Sequence, residues 1–181
     1  GGWVSQLAAL DHPSRVGSLV LVSTRATGHG QADADLPEVS PRLLQTWAEA
    51  DDEPDWSDDD AVLDYLVGGE RSLAGPLLDE ASVREVCRSF LRRTGDVRAA
   101  LTNHPIADQG PRWRERLSQI TAPTLVLHGE RDPLFPPANA VRLAAEIPGA
   151  RLRVVPEVGH ELPRKAWSGY VDAIAGQVIP C

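Results

Sequence analysis

The sequence predicts an α/β fold: a parallel sheet layered with helices, with an all-helical block inserted into one connection. Three observations predict it. Short apolar runs stand at Ser18–Thr24, Thr124–His128 and Leu152–Val155. Helical periodicity flanks them, in the order helix, strand, helical stretch, strand, helix, strand, helix. From about Ala26 to Gln119 no comparable strand occurs, only helical patterns.

Trp3, Val4, Leu7 and Ala8 share one face of a first helix over Trp3–Leu10. Asp11-His12-Pro13 stops it, because proline disfavours helix in the residue before it. The run inside Ser18–Thr24 is β-branched and lacks alternation, which suits a parallel strand covered on both faces. Ser40 then starts a helix, with Pro41 at its first position and Leu43, Leu44 and Trp47 on one face. Ser57 starts another, with Asp58, Asp59 and Asp60 in the first turn, where the helix dipole favours anions. Val62, Tyr65 and Leu66 follow, and Gly68-Gly69 is expected to end it. Val83, Val86, Cys87, Phe90 and Leu91 fit the i, i+3, i+4, i+7, i+8 template of a helix ending at Gly95. A short helix runs from an Asp96 cap to about Asn103, and a further one holds Trp113, Leu117 and Ile120. A helix over Pro137–Ile147 is expected to turn Val141, Ala144 and Ile147 inward. Trp167, Tyr170, Val171, Ile174 and Val178 form the expected inner stripe of the last. The strands before Asp132 and His160 both read as buried.

At 181 residues the chain is long enough to bury a core as one domain. Its apolar and charged fractions, 42% and 24%, are those of an ordinary globular protein. The net charge of −8 argues against nucleic acid or an anionic membrane as partner. No apolar run approaches the ~18 residues of a membrane span. With no methionine anywhere, the chain is expected to be part of a longer product. The expected compartment is the cytoplasm. Cys87 falls on a helix stripe and Cys181 ends the chain; a disulfide between them is one reading, core packing of Cys87 the other.

Two residues carry the chemistry. Asp132, in L-V-L-H-G-E-R-D-P-L-F-P, lies four residues past one strand, on a loop stiffened by Pro133, Pro136 and Pro137. His160, in V-V-P-E-V-G-H-E-L-P, lies five residues past the next, beside Gly159. In a parallel α/β sheet, reactive groups gather at the carboxyl ends of strands. A carboxylate there can hold one ring nitrogen of the imidazole while the other serves a nucleophile as general base.

On these motifs the chain resembles the C-terminal part of an α/β-hydrolase-fold enzyme. Gly1-Gly2 match the last glycines of the family's G-x-S-x-G turn, often followed by a further glycine, and Trp3–Leu10 match its helix. The resemblance implies a core over 1–25, a helical cap over 26–119 and a second core part over 120–181. It implies Asp132 as triad acid and His160 as general base, with the serine two residues before Gly1, outside the chain, along with the family's first strands and oxyanion loop. The chain as given is then expected to be inactive, since losing a triad nucleophile costs on the order of a million-fold. Ser18–Thr24 is expected to expose a strand edge where a neighbour would pair. The cap and the G-H-E-L-P ending look most like actinobacterial esterases of the methylesterase kind acting on polyketide antibiotics. The implied substrate is a small molecule, with no cofactor and no metal.

Other residues have weaker claims. Ser5 and Ser23 lack the strained turn that exposes a nucleophilic hydroxyl. His29, in a glycine-rich loop, and His104, where the helical stretch returns to the core, are candidates for substrate contact. His12 reads as a dipole partner at a helix end, and His128 as a residue that packs or bonds locally. No two histidines have metal-ligand spacing. Trp47, Trp56, Phe90 and Trp113 either line an apolar pocket for a small ester or pack in a core. The eight carboxylates of Glu49–Asp60 read as a solvated loop and a helix start rather than a cation site, because calcium-loop spacing is missing. Rival functions are a dehalogenase, epoxide hydrolase, perhydrolase or carbon–carbon hydrolase on the same scaffold, or a non-catalytic receptor.

Overall fold

The computed structural model describes residues 1–28, 33–50, 53–108 and 110–178. Among the described residues, ten α-helices and strands follow in order: α1 (Gly2–Asp11), β1 (Leu19–Val22), α2 (Pro41–Ala48), α3 (Asp59–Leu73), α4 (Glu80–Arg93), α5 (Val97–Ile106), β2 (Thr124–Gly129), α6 (Ala138–Glu146), β3 (Arg151–Val155) and α7 (Trp167–Val178). The strands make one parallel sheet in the order β1-β2-β3, with Leu21 opposite Val126 and Leu127 opposite Arg153. The period-2 alternation of strands sends Leu19, Leu21 and Val126 to one face, against α1 and α6. It sends Leu125 and Leu127 to the other, against Tyr170 and Ala173 of α7. β2 is therefore buried at every position.

β3 is not the buried strand that its apolar residues suggest. Among the described residues it lies at the end of the sheet with β2 as its one neighbour, and Leu152 and Val154 are 37% and 39% exposed. The amphipathic readings need similar correction. In α6, Val141 is exposed, while Asn139, Ala140 and Leu143 turn inward. In α7, Tyr170 is buried and Trp167, Val171 and Ile174 are exposed. Trp113 and Ile120 flank, and Leu117 lies within, a 3₁₀ turn, Arg114–Gln119, rather than an α-helix, and the three join the main core beneath α1. Trp113 donates its indole N–H to Gln6 Oε1 at 2.9 Å and packs against Trp3.

α2 begins as its sequence dictates: the Ser40 hydroxyl accepts from Leu43 N at 3.3 Å. The cap of α3 is Asp58, not Ser57, because Asp58 Oδ1 accepts from Asp60 N and Ala61 N. Gly68-Gly69 does not end α3, which runs on to Leu73. Leu63 and Val67 pack against Cys87 of α4 in a small separate core, and that packing outweighs the ~1 kcal/mol cost of each mid-helix glycine. Tyr65 and Val86 stay exposed. Cys87 is a buried free thiol, and Cys181 lies outside the described residues. No helix among the described residues is long and apolar enough to cross a membrane.

Candidate active site

The carboxyl ends of β2 and β3 converge because their loops are pressed backbone to backbone. Glu130 N donates to Val155 O at 2.9 Å and Arg131 N to Val158 O at 2.8 Å. A Cβ on Gly129 would sit 2.0 Å from Gly159 O, so only glycine allows the two chains to approach this closely.

Asp132 is 3% exposed, and its surroundings are donors. Oδ1 accepts from Leu134 N and Phe135 N, both at 2.9 Å, closing the loop on itself as an Asx turn. Oδ2 lies 2.8 Å from His160 Nδ1. A carboxylate only accepts, so Nδ1 carries a proton, and in the neutral ring Nε2 is the nitrogen with the free lone pair. The His160 side chain is 24% exposed, so one edge of the ring reaches solvent.

The histidine loop is held from outside. His160 N donates to Leu73 O at 2.9 Å, at the end of α3. The carboxylate of the next residue, Glu161, accepts from Gly75 N at 3.0 and 3.1 Å. The Phe135 ring meets the His160 ring edge-on at 5.4 Å, and the buried guanidinium of Arg25 lies 5.3 Å over that same phenyl ring.

Sequence reading did not place His128 in this site. It packs and bonds locally as expected, with Nε2 2.7 Å from Phe135 O, but Nε2 is also 3.3 Å from Asp132 Oδ2. Its position four residues before Asp132, at the end of a buried strand, was the available signal. Burial pushes the His128 imidazole below its ordinary pKa.

The other singled-out residues fall elsewhere. His29 lies outside the described residues. His104 falls within α5, and its side chain is not among the described ones. Trp47 stands on α2, 47% exposed. A groove of about 390 Å³ between α4 and the 161–167 segment is lined by Leu78, Val83, Val86, Leu162, Pro163 and Trp167, with Glu161 on its wall. Trp167 is its aromatic residue, rather than Trp47, Trp56, Phe90 or Trp113. Ser5 donates to Gly1 O. Ser23 departs from expectation in its backbone, at φ +45°, yet its hydroxyl is buried and unavailable to a substrate. Of the acidic stretch, Glu53 binds Trp56 Nε1 and Arg98, and Asp55 and Asp58 cap turns. Asp51 and Asp52 lie outside the described residues. Among the described residues no group of three or more His, Cys, Asp or Glu is placed to hold a metal ion.

A family model for the alpha/beta hydrolase fold matches residues 1–163. Rhodomycin D methylesterase of Streptomyces peucetius is 31% identical over 186 residues, covering 90% of this chain and 59% of the relative. A 2-hydroxy-6-oxononadienedioate/2-hydroxy-6-oxononatrienedioate hydrolase of Cupriavidus pinatubonensis is 29% identical, covering 88% of this chain and 53% of the relative. The meta-cleavage product hydrolase of Pseudomonas fluorescens superposes with a TM-score of 0.65 at 19% identity, covering 97% of this chain and 60% of that structure, which is a likeness of fold. The chain thus spans little more than half the length of the curated relatives it matches.

Proposed function

The chain belongs to the alpha/beta hydrolase fold family, and from that premise we propose that it carries the acid and base of a serine hydrolase for small, mainly apolar esters. Asp132 is the acid and His160 the general base. The supporting observation is the 2.8 Å contact between His160 Nδ1 and Asp132 Oδ2, which turns an unprotonated Nε2 outward. In such a site Nε2 takes the proton from a nucleophilic hydroxyl as it attacks the ester carbonyl, and the carboxylate stabilises the imidazolium until the proton passes to the leaving alcohol. The nucleophile is read as lying two residues before Gly1. Residues 1–25 and 120–181 form the core and 26–119 the cap in this reading, with His29, His104 and Trp47 as candidate pocket contacts. The protein works without cofactor or metal on a small-molecule substrate, in the cytoplasm, away from nucleic acid and membrane.

A second reading keeps the fold and changes the reaction: a dehalogenase, epoxide hydrolase, perhydrolase or carbon–carbon hydrolase. The relatives keep it in view, since their printed names run from a methylesterase to a dioate hydrolase. The test joins this chain to its upstream coding sequence and offers short-chain methyl and nitrophenyl esters and a fluorophosphonate probe. Ester turnover, with the label on the residue two places before Gly1, is the expected result. An aspartate there would support the second reading, and neither label nor turnover on any ester would leave the binder.

A further inference from the structure

Asp132 Oδ2 faces two imidazoles, and the second has no part in proton transfer to a nucleophile. His128 is fully buried, at the end of the central strand. Its Nε2 stands between two groups that only accept, Phe135 O at 2.7 Å and Asp132 Oδ2 at 3.3 Å. A bare Nε2 would repel both, so Nε2 carries a proton, and Nδ1, buried with no acceptor for a second one, is the unprotonated nitrogen. The N–H is directed at Phe135 O, and its positive end lies beside the carboxylate oxygen that His160 holds.

We propose that His128 is a positioning residue for the acid–base pair: its Nε2–H, given to Phe135 O, ties down the loop of Asp132 and lays its positive end beside Asp132 Oδ2, drawing off part of that oxygen's charge. This rests on reading Asp132 and His160 as acid and base. Two consequences follow from the geometry. First, His128 joins the Asp132 loop at both ends, because Phe135, whose carbonyl it binds, is also the residue whose backbone N–H holds Asp132 Oδ1 and whose ring abuts His160. Second, a donor beside a carboxylate makes it a weaker partner for a cation. Removing the donor therefore strengthens the pull of Asp132 on imidazolium and makes His160 titrate at higher pH. The other charged and titratable groups around the pair are Glu161 on the same loop, Glu70 on α3, Tyr170 on α7 and Arg25 across the Phe135 ring. The neutral state that the arrangement requires agrees with the burial of the ring.

The experiment needs no turnover, so it stands apart from any failure of the ester assay. Ring-¹⁵N histidine NMR of this chain reports protonation and tautomer at each imidazole. In the unmutated protein at neutral pH, His128 is expected as a neutral ring with its proton on Nε2. In His128→Phe, the His160 midpoint is expected to rise by about half a unit, less than the 1–3 units a full charge exerts at such range. His128→Gln keeps an N–H for Phe135 O and is expected to lie nearer the unmutated value. A role in packing alone would leave the His160 midpoint where it is. The proposal is overturned if His128 is charged or carries its proton on Nδ1 in the unmutated protein. It is overturned too if His160 titrates unchanged, or lower, in a folded His128→Phe. Should that variant fail to fold, the tautomer and His128→Gln decide the matter.

Discussion

The loops carrying Asp132 and His160 do comparable work by opposite means. The first locks its carboxylate internally: Asp132 Oδ1 accepts from Leu134 N and Phe135 N, two and three residues on, while Pro133 O accepts from the more distant Ser40 N at 2.8 Å. The second has no such internal lock and leans on the helical stretch between β1 and β2, through Leu73 O to His160 N and Gly75 N to Glu161. The Asp132 carboxylate is held by backbone N–H groups within three residues of it, the His160 backbone by a carbonyl more than eighty positions away. Anything that moves the end of α3 therefore reaches His160 before Asp132.

Four perturbations break or sharpen that contrast, from the largest expected effect down. Asp132→Asn keeps the shape of the local lock but presents an amide N–H₂ to His160, forcing Nδ1 to accept and moving the proton to Nε2. In the full-length protein, ester turnover is expected to fall on the order of 10⁴-fold, with unfolding free energy little changed. An Asp132→Asn protein retaining a tenth of its activity would remove the pair from the mechanism. Gly129→Ala attacks both loops at once, since its Cβ would meet Gly159 O at 2.0 Å and Val158 O at 2.4 Å. Denaturant unfolding is expected to show a loss above about 4 kcal/mol, because both clashing atoms are backbone.

Glu161→Ala separates the loops. It deletes the acceptor of Gly75 N and leaves Asp132 untouched. A loss of about 1–2 kcal/mol is expected, with faster amide exchange at Gly75 and unchanged exchange at Leu134 and Phe135. Equal acceleration at all three amides would mean that the loops open together and the contrast is wrong. The smallest effect concerns the charged clasp behind α6. Arg114 binds Asp35 and Asp33, which holds the Asp35 carboxyl down at about 2. A depressed carboxylate contributes stability that is present above the unfolded value of about 3.9 and lost as pH falls through the folded one. Arg114→Gln is therefore expected to flatten the stability profile between about pH 4 and pH 2 while leaving the Asp132–His160 contact intact, as read by acid titration of unfolding. An unchanged profile would show the clasp to be screened by solvent.

Much of this was legible along the chain. Ser40-Pro41, the Asp96 start and the apolar runs mark elements whose causes are local: a cap, a fixed φ, a dipole. Asp132 and His160 were legible because strand ends of a parallel sheet deliver their loops to one side. The misreadings have a different source. Gly68-Gly69 is a stop signal that Leu63 and Val67 override by packing on α4. Val141, Val171 and Trp167 lie on helical stripes, but which stripe is covered depends on where the sheet ends. Leu152 and Val154 look like core, yet the edge position of β3 leaves them half in water. His128 looked like one more strand-end histidine until the fold of its loop returned Asp132 and Phe135 to its ring.

By itself the sequence determined most of the helix and strand segments, their order, and which acid and imidazole stand past adjoining strands, because propensity, capping and periodicity act over a few residues. Only the tertiary structure decided that Asp132 Oδ2 meets two imidazoles, that Glu161 ties the histidine loop to Gly75, and which apolar residues face water. Those outcomes are set by distances between segments far apart in the chain, and these follow from how the layers pack.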